Sequence, residues 1–155
     1  RRSAAGPLAK EYPYRVYAPE RRNYSVAIYS KYPIIKHSPL VYTSLTAQGY
    51  ARTSAQYADV VLPYDTVRIL NVHLSSTGLQ DQDMEAVHSR DELLETGQFV
   101  LSKLASTDRN RGLQANHIVE WVQKSPHPVI LTGDFNGAPG GNLYWLLLRH
   151  LQDPY

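Results

Sequence analysis

Two short segments place polar side chains where strands end. Asn71-Val72-His73-Leu74 closes one apolar run, and Gly133-Asp134-Phe135-Asn136 follows another, Val129-Ile130-Leu131-Thr132. Strand side chains alternate between faces, so Asn71 and His73 point one way from residues 67–74 while Arg68, Leu70, Val72 and Leu74 point the other. An Asn and a His ending an apolar strand are costly to bury unpaired, so they belong either to a satisfied hydrogen-bond network or to a ligand site. Asp134 and Asn136 sit on a strand-end loop, where function often collects. A carboxylate there can orient and deprotonate a water or help hold a cation, and a carboxamide can donate to a phosphate oxygen. The structural alternative is an Asx-type turn in which both side chains cap their own backbone.

The elements that must position these groups can be read from periodicity. Residues 25–30 form a strand closed by Lys31-Tyr32-Pro33, after an irregular or short-strand stretch over residues 1–24. Residues 34–38 and 40–42 are short apolar pieces punctuated by Pro39, read as two short strands or a sheet edge. Residues 56–62 and 67–74 read as a hairpin across Pro63-Tyr64-Asp65-Thr66. From about Asp81 the pattern turns helical, with Met84, Val87, Leu94 and Leu101 in phase and a break at Gly97. A second helix is predicted from about Asn110 to Lys124, capped near Thr107 or Asp108, with an apolar stripe of Leu113, Ile118, Val119 and Val122. Residues 129–132 read as a buried strand, and residues 143–151 as a last helix.

The two strand-end motifs resemble the N-x-H-L and G-D-F-N motifs of the endonuclease/exonuclease/phosphatase superfamily, whose members include deoxyribonuclease I, abasic-site endonucleases, sphingomyelinases and inositol polyphosphate phosphatases. Residues 23–33, ending Ser30-Lys31-Tyr32-Pro33, are similar to that family's strand ending in Ser-Lys/Arg-Tyr-Pro, and all three motifs occur in the family's order. The helical region between the second and third motifs is similar to superfamily members from Bacteroides-like bacteria. The resemblance implies an α/β fold, part of a four-layer α/β/β/α sandwich of two mixed sheets flanked by helices. It also implies site roles. His73 would steady the negative charge of the scissile phosphate, Asp134 would orient or deprotonate the attacking water, and Asn71, His73 and Asn136 would contact phosphate oxygens. Asp134 and Asn136 are its candidate ligands for Mg2+ or Mn2+, hard cations that suit oxygen donors.

Composition bounds these expectations. A chain of 155 residues fits one domain, and folding at that size buries about two-thirds of the surface exposed by the unfolded chain. The 43% hydrophobic and 19% charged fractions are globular norms. The formal charge of +2 is small, and the basic residues are scattered, so charge alone does not argue for nucleic acid. Arg21-Arg22 and the pair Arg109 and Arg111 are expected on solvated surface. Arg52 is weighed as a phosphate contact against ordinary surface, and His37, His88, His117, His127 and His150 as surface or structural residues. Without cysteine, the chain has no disulfide, no Cys-based zinc site and no cysteine nucleophile. No apolar run approaches the roughly 20 residues of a transmembrane segment. The twelve tyrosines are read as strand and turn packing rather than as a base-stacking platform.

The family's upstream Leu-Gln-Glu and downstream Ser-Asp-His do not occur, so its principal metal carboxylate and the histidine partner of its catalytic Asp have no counterpart here. The chain is therefore expected to be a single, incomplete domain lacking both family ends, with impaired or absent activity by itself. An incomplete sheet would expose an unpaired edge through which chains could self-associate. The leading expectation is a metal-dependent phosphoesterase acting on a phosphorylated substrate, whether nucleic acid, phospholipid head group or sugar/inositol phosphate. The alternative is a catalytically silent domain binding a protein or a phospholigand. Chance motifs on an unrelated fold would leave His73 and Asp134 more than roughly 10 Å apart, since groups acting on one phosphate must converge on it.

Overall fold

The computed structural model describes residues 8–18, 26–42, 55–78 and 90–153. Its elements, in chain order, are α1 (Leu8–Glu11), β1 (Tyr14–Tyr17), β2 (Ala27–Ser30), β3 (Ile34–Leu40), β4 (Ala55–Val61), β5 (Thr66–His73), α2 (Arg90–Gln123), β6 (Val129–Asp134) and α3 (Asn142–Leu148). The expected hairpin is present: β4 and β5 are antiparallel, Val61 facing Thr66, and the Leu62 N–H donates to the Asp65 carbonyl at 2.7 Å across the turn. Pro63, whose ring fixes φ, and Asp65, whose Oδ1 accepts the Thr66 N–H at 2.7 Å, direct that reversal.

The strands form two sheets. β1 and β2 pair antiparallel, and the larger sheet runs β3-β4-β5-β6, mixed because β6 joins β5 in parallel. Residues 34–40 form one strand, with Pro39 inside it opposite Gln56. Proline is tolerated there because β3 is an edge strand, where a missing N–H need not interrupt a ladder.

Alternation divides the apolar residues of the larger sheet between two cores. Leu70, Val72 and Leu74, each at most 1% exposed, pack with Tyr42, Ala55, Ile118 and Leu147 on the helix side. Ala58 and Val60 pack with Val16 and Ile28 of the small sheet, joined by Val67 and Ile69. Full burial of each large aliphatic side chain contributes about 1.5–3 kcal/mol. The layers are thus helices, a four-stranded sheet and a second sheet, the two-sheet, helix-flanked α/β arrangement implied by the motifs.

Two expectations need correction. The helical region from residue 90 is continuous through Gln123 and does not break at Gly97 or restart near Asn110. A glycine weakens a helix without ending it. Proline, which does end helices, first returns at Pro126. The cap-type residues are accommodated inside the helix, the Thr107 hydroxyl donating to the Lys103 carbonyl at 2.8 Å and Asp108 accepting from Arg111 at 3.3 Å. The helix start expected at Asp81, with Met84 and Val87, lies outside the described residues, as do Arg21, Arg22, Arg52 and His88. Second, β6 is covered on one face only. Val129 and Leu131 join the helix-side core, whereas Ile130 remains 52% exposed, because among the described residues β6 is the outermost strand and no small-sheet strand lies over it. The last helix ends at Leu148, three residues earlier than expected.

Gly133 sits within β6 directly beside Val72 at φ +137, and a Cβ there would overlap the Val72 carbonyl oxygen. Gly133→Ala is expected to destabilise the fold by on the order of 3–5 kcal/mol. Gly97→Ala, where a Cβ meets open space in a helix, is expected to stabilise by about 0.5–1 kcal/mol. Urea denaturation of the two variants checks both signs.

Candidate active site

Parallel pairing of β5 and β6 sets the site. In this register Val72 faces Gly133 and His73 faces Asp134, and the Leu74 N–H continues the ladder by donating to the Asp134 carbonyl at 2.9 Å. The side chains converge, with His73 Nε2 4.0 Å from Asp134 Oδ2. This distance removes the possibility of unrelated motifs scattered over the fold. Both groups remain accessible, His73 at 31% and Asp134 at 65% side-chain exposure. They occupy the rim of the face that points toward the small sheet, at the C-terminal ends of the two strands.

Asn71 does share a face with His73, and the structure gives it a tether. Its Nδ2 donates to the Ala27 carbonyl of β2 at 3.0 Å. Gln56, directly opposite Asn71 in β4, is 1% exposed and donates to the Val26 carbonyl at 2.8 Å. Two neighbouring carboxamides therefore bridge the sheets just below His73, each donating to a backbone carbonyl beside or within β2. Sequence reading recognised Asn71 and passed over Gln56, although both hold the same alternating position in paired strands.

The loop after β6 is a built turn. Asp134 Oδ1 accepts the Asn136 N–H at 2.9 Å, an Asx turn, and Asn136 adopts φ +48, a left-handed conformation that asparagine tolerates better than most residues. Asn136 does not cap its own backbone. Its Nδ2 donates to the Leu74 carbonyl at 3.0 Å and so ties the loop after β6 to the loop after β5. The Asx turn and the approach to His73 are thus compatible: one carboxylate oxygen orders the turn and the other faces the imidazole.

Helix α2 fixes both loops from behind. Gln114, fully buried, accepts the Ser75 N–H at 3.0 Å. Arg111, expected on the surface, is 8% exposed and donates through Nη1 to the Asn136 carbonyl at 2.7 Å and the Ser75 carbonyl at 3.4 Å. The spacing held the clue, since Thr107, Arg111, Gln114, Ala115 and Ile118 recur at three- and four-residue intervals and form one buried face. Leu113, assigned to the apolar stripe, is instead 47% exposed on another face.

A second charged group lies at the opposite end of β5. Arg68 donates to buried Asp59 through two bonds of 2.7 and 2.8 Å and stacks over the Tyr57 ring, and His127 Nε2 lies 4.0 Å from the same carboxylate. The Asp59 hydrogen bond holds the Arg68 pKa above its already high ordinary value. This fork-fork pair braces the strands and is a structural feature.

The described residues do not form a complete cation site. Among the described residues no group of three His, Asp or Glu side chains could hold a metal ion. Asp134 and Asn136 offer one carboxylate and one amide, whereas Mg2+ needs near-octahedral oxygen coordination. A cavity of about 340 Å³ between α2 and the segment after β6 is lined by Asp108, Arg111 and Gly137 but not by His73 or Asp134. The convergent side chains lie outside this cavity.

The model of the Endonuclease/Exonuclease/phosphatase family matches residues 2–154. Solved structures share the fold at low identity. SmcL matches at TM-score 0.62 and 17% identity, covering 92% of this chain and 48% of its own. Sphingomyelinase C from Streptomyces griseocarneus matches at 0.61 and 17%, covering 92% and 49%. A beta toxin mutant from Staphylococcus aureus with bound magnesium ions matches at 0.62 and 20%, covering 92% and 50%. The chain spans about half the length of these proteins. No curated protein matches by sequence.

Asn136 carries both a left-handed backbone and the loop-to-loop bond. Asn136→Ala is expected to cost about 2 kcal/mol and Asn136→Gly about half of that, because glycine keeps the backbone conformation and loses only the amide. Thermal unfolding of the pair checks the order.

Proposed function

This chain belongs to the endonuclease/exonuclease/phosphatase family, and on that premise we propose that it carries the catalytic face of a metal-dependent phosphoesterase that hydrolyses phosphodiesters or phosphomonoesters with an activated water. The observation that carries this reading is the 4.0 Å approach of His73 to Asp134 on adjacent strand ends. A phosphoester is an anion that needs alignment, charge stabilisation and a base more than covalent help. Asp134, exposed and held by the Asn136 N–H, orients the attacking water and accepts its proton. His73 donates to a non-bridging phosphate oxygen and steadies the charge that develops there. The Asn136 amide keeps one N–H on Leu74 and presents the other to the phosphate. Asn71, for which the resemblance implies phosphate contact, serves by holding β5 against β2.

Magnesium or manganese suits a site of oxygen donors. No step above is assigned to it, because the described residues bring a single carboxylate to the site. The same observation favours the second reading, a catalytically silent domain that keeps the fold to bind a protein or phospholigand. The domain is proposed to be incomplete as it stands. Substrate specificity in such folds lies in loops, and the candidates are nucleic acid, a phospholipid head group such as that of sphingomyelin, and sugar or inositol phosphates.

Hydrolysis of bis(p-nitrophenyl) phosphate by the chain, with magnesium or manganese and with chelator, separates the two readings. Metal-dependent turnover reduced on the order of a hundredfold or more in Asp134→Asn and His73→Ala supports the enzyme. Absence of turnover, with orthophosphate binding that His73→Ala abolishes, supports the phospholigand-binding domain. We also infer self-association through the outer edge of β6, the last strand of its sheet among the described residues. Size-exclusion chromatography with light scattering is expected to show mass rising with concentration, and a constant monomer mass would refute it.

A further inference from the structure

We propose that Arg111, supported by Gln114, is a positioning residue for the candidate site: one buried guanidinium on α2 sets the relative placement of the chain exits from β5 and β6, and through them of His73 and Asp134. The inference rests on the phosphoesterase reading for its catalytic consequence, but its geometry stands independently.

His73 and Asp134 end their strands, so each is steadied by the residues that follow it. After β5 comes Ser75, whose N–H is held by Gln114 at 3.0 Å and whose carbonyl lies 3.4 Å from Arg111 Nη1. After β6 comes Asn136, whose carbonyl accepts from the same Nη1 at 2.7 Å. The Asn136 N–H in turn holds Asp134 Oδ1 at 2.9 Å. A continuous path thus runs from Arg111 through the Asn136 peptide to the carboxylate that faces His73. The hydrogen bonds of Arg111 toward the two exits run to backbone carbonyls, not to the side chains of that pair.

The fold by itself gives little reason for an arginine here. Arg111 is 8% exposed, and among the described residues its Nε is buried without a hydrogen-bond partner and its ion pair is with the half-exposed Asp108 at 3.3 Å. A buried donor left unsatisfied is unfavourable, and an apolar side chain of similar length would avoid it. What an apolar side chain cannot do is hold two carbonyls from different loops on one rigid, planar group. Gln114, one turn further along the same buried face, fixes the remaining backbone group of Ser75.

The test compares the chain with Arg111→Met, Arg111→Lys and Gln114→Leu, measuring amide hydrogen exchange by NMR together with kcat and KM for bis(p-nitrophenyl) phosphate. In Arg111→Met, exchange of the Asn136 and Ser75 amides is expected to rise about tenfold more than that of Leu70 and Val72 in β5. In the same variant kcat is expected to fall on the order of a hundredfold at nearly constant KM, because displacement of reacting groups costs rate rather than binding. Arg111→Lys, which can reach only one carbonyl, is expected to recover part of kcat, and Gln114→Leu to loosen Ser75 selectively. Site and core amides loosening together would make Arg111 a plain stabiliser and overturn the proposal, as would unchanged exchange at Asn136 and Ser75. If the unsubstituted chain hydrolyses nothing, as an incomplete domain is expected to, the exchange data alone decide whether Arg111 sets the two exits.

Discussion

Parallel pairing of β5 with β6 is the constraint on which the site depends. Val72 and Gly133 approach so closely in this register that no side chain fits at residue 133, and the next pair along is His73 with Asp134. Because strand residues project to alternate faces, a shift of one residue would send Asp134 to the helix side and leave His73 alone. The glycine therefore does more than permit a tight contact: it holds the register that makes two distant chain segments into one chemical unit.

Polar side chains in the interior complete that arrangement. Gln56 and Asn71 span the space between the sheets, and Arg111 and Gln114 reach from the helix layer to the loops after β5 and β6. Apolar packing is non-directional and would tolerate small slides of one layer over another. Hydrogen bonds of about 3 Å between fixed backbone groups and buried amides or guanidinium tolerate much less. The layers are held by the two apolar cores, and their lateral alignment near the site is set by these four residues.

Much of the scaffold was legible in the chain. The hairpin of β4 and β5, the strand ending at Ser30, the strand from Val129 and the last helix follow from alternation and turn chemistry, and the strand-end motifs singled out His73, Asp134 and Asn136. The misreadings share a cause. Gly97 and Asn110 are local signals in a helix whose later turns pack against the sheet through Ile118, Val119 and Val122. An isolated arginine usually lies at the surface, but the phase of Arg111 with Gln114 and Ile118 places it inside.

What the sequence determined by itself is the local content: which segments are strands, which polar side chains stand at strand ends, and that Asn71 and His73 share a face. These are consequences of side-chain type and of periods of 2 and 3.6 residues, which act within a few residues of the chain. Tertiary structure alone decided that His73 meets Asp134, that Asn71 ties two sheets together, and that one arginine on a long helix joins the two loops. Those pairings link residues from 25 to 61 positions apart, and their geometry depends on how the layers pack, which no local period encodes.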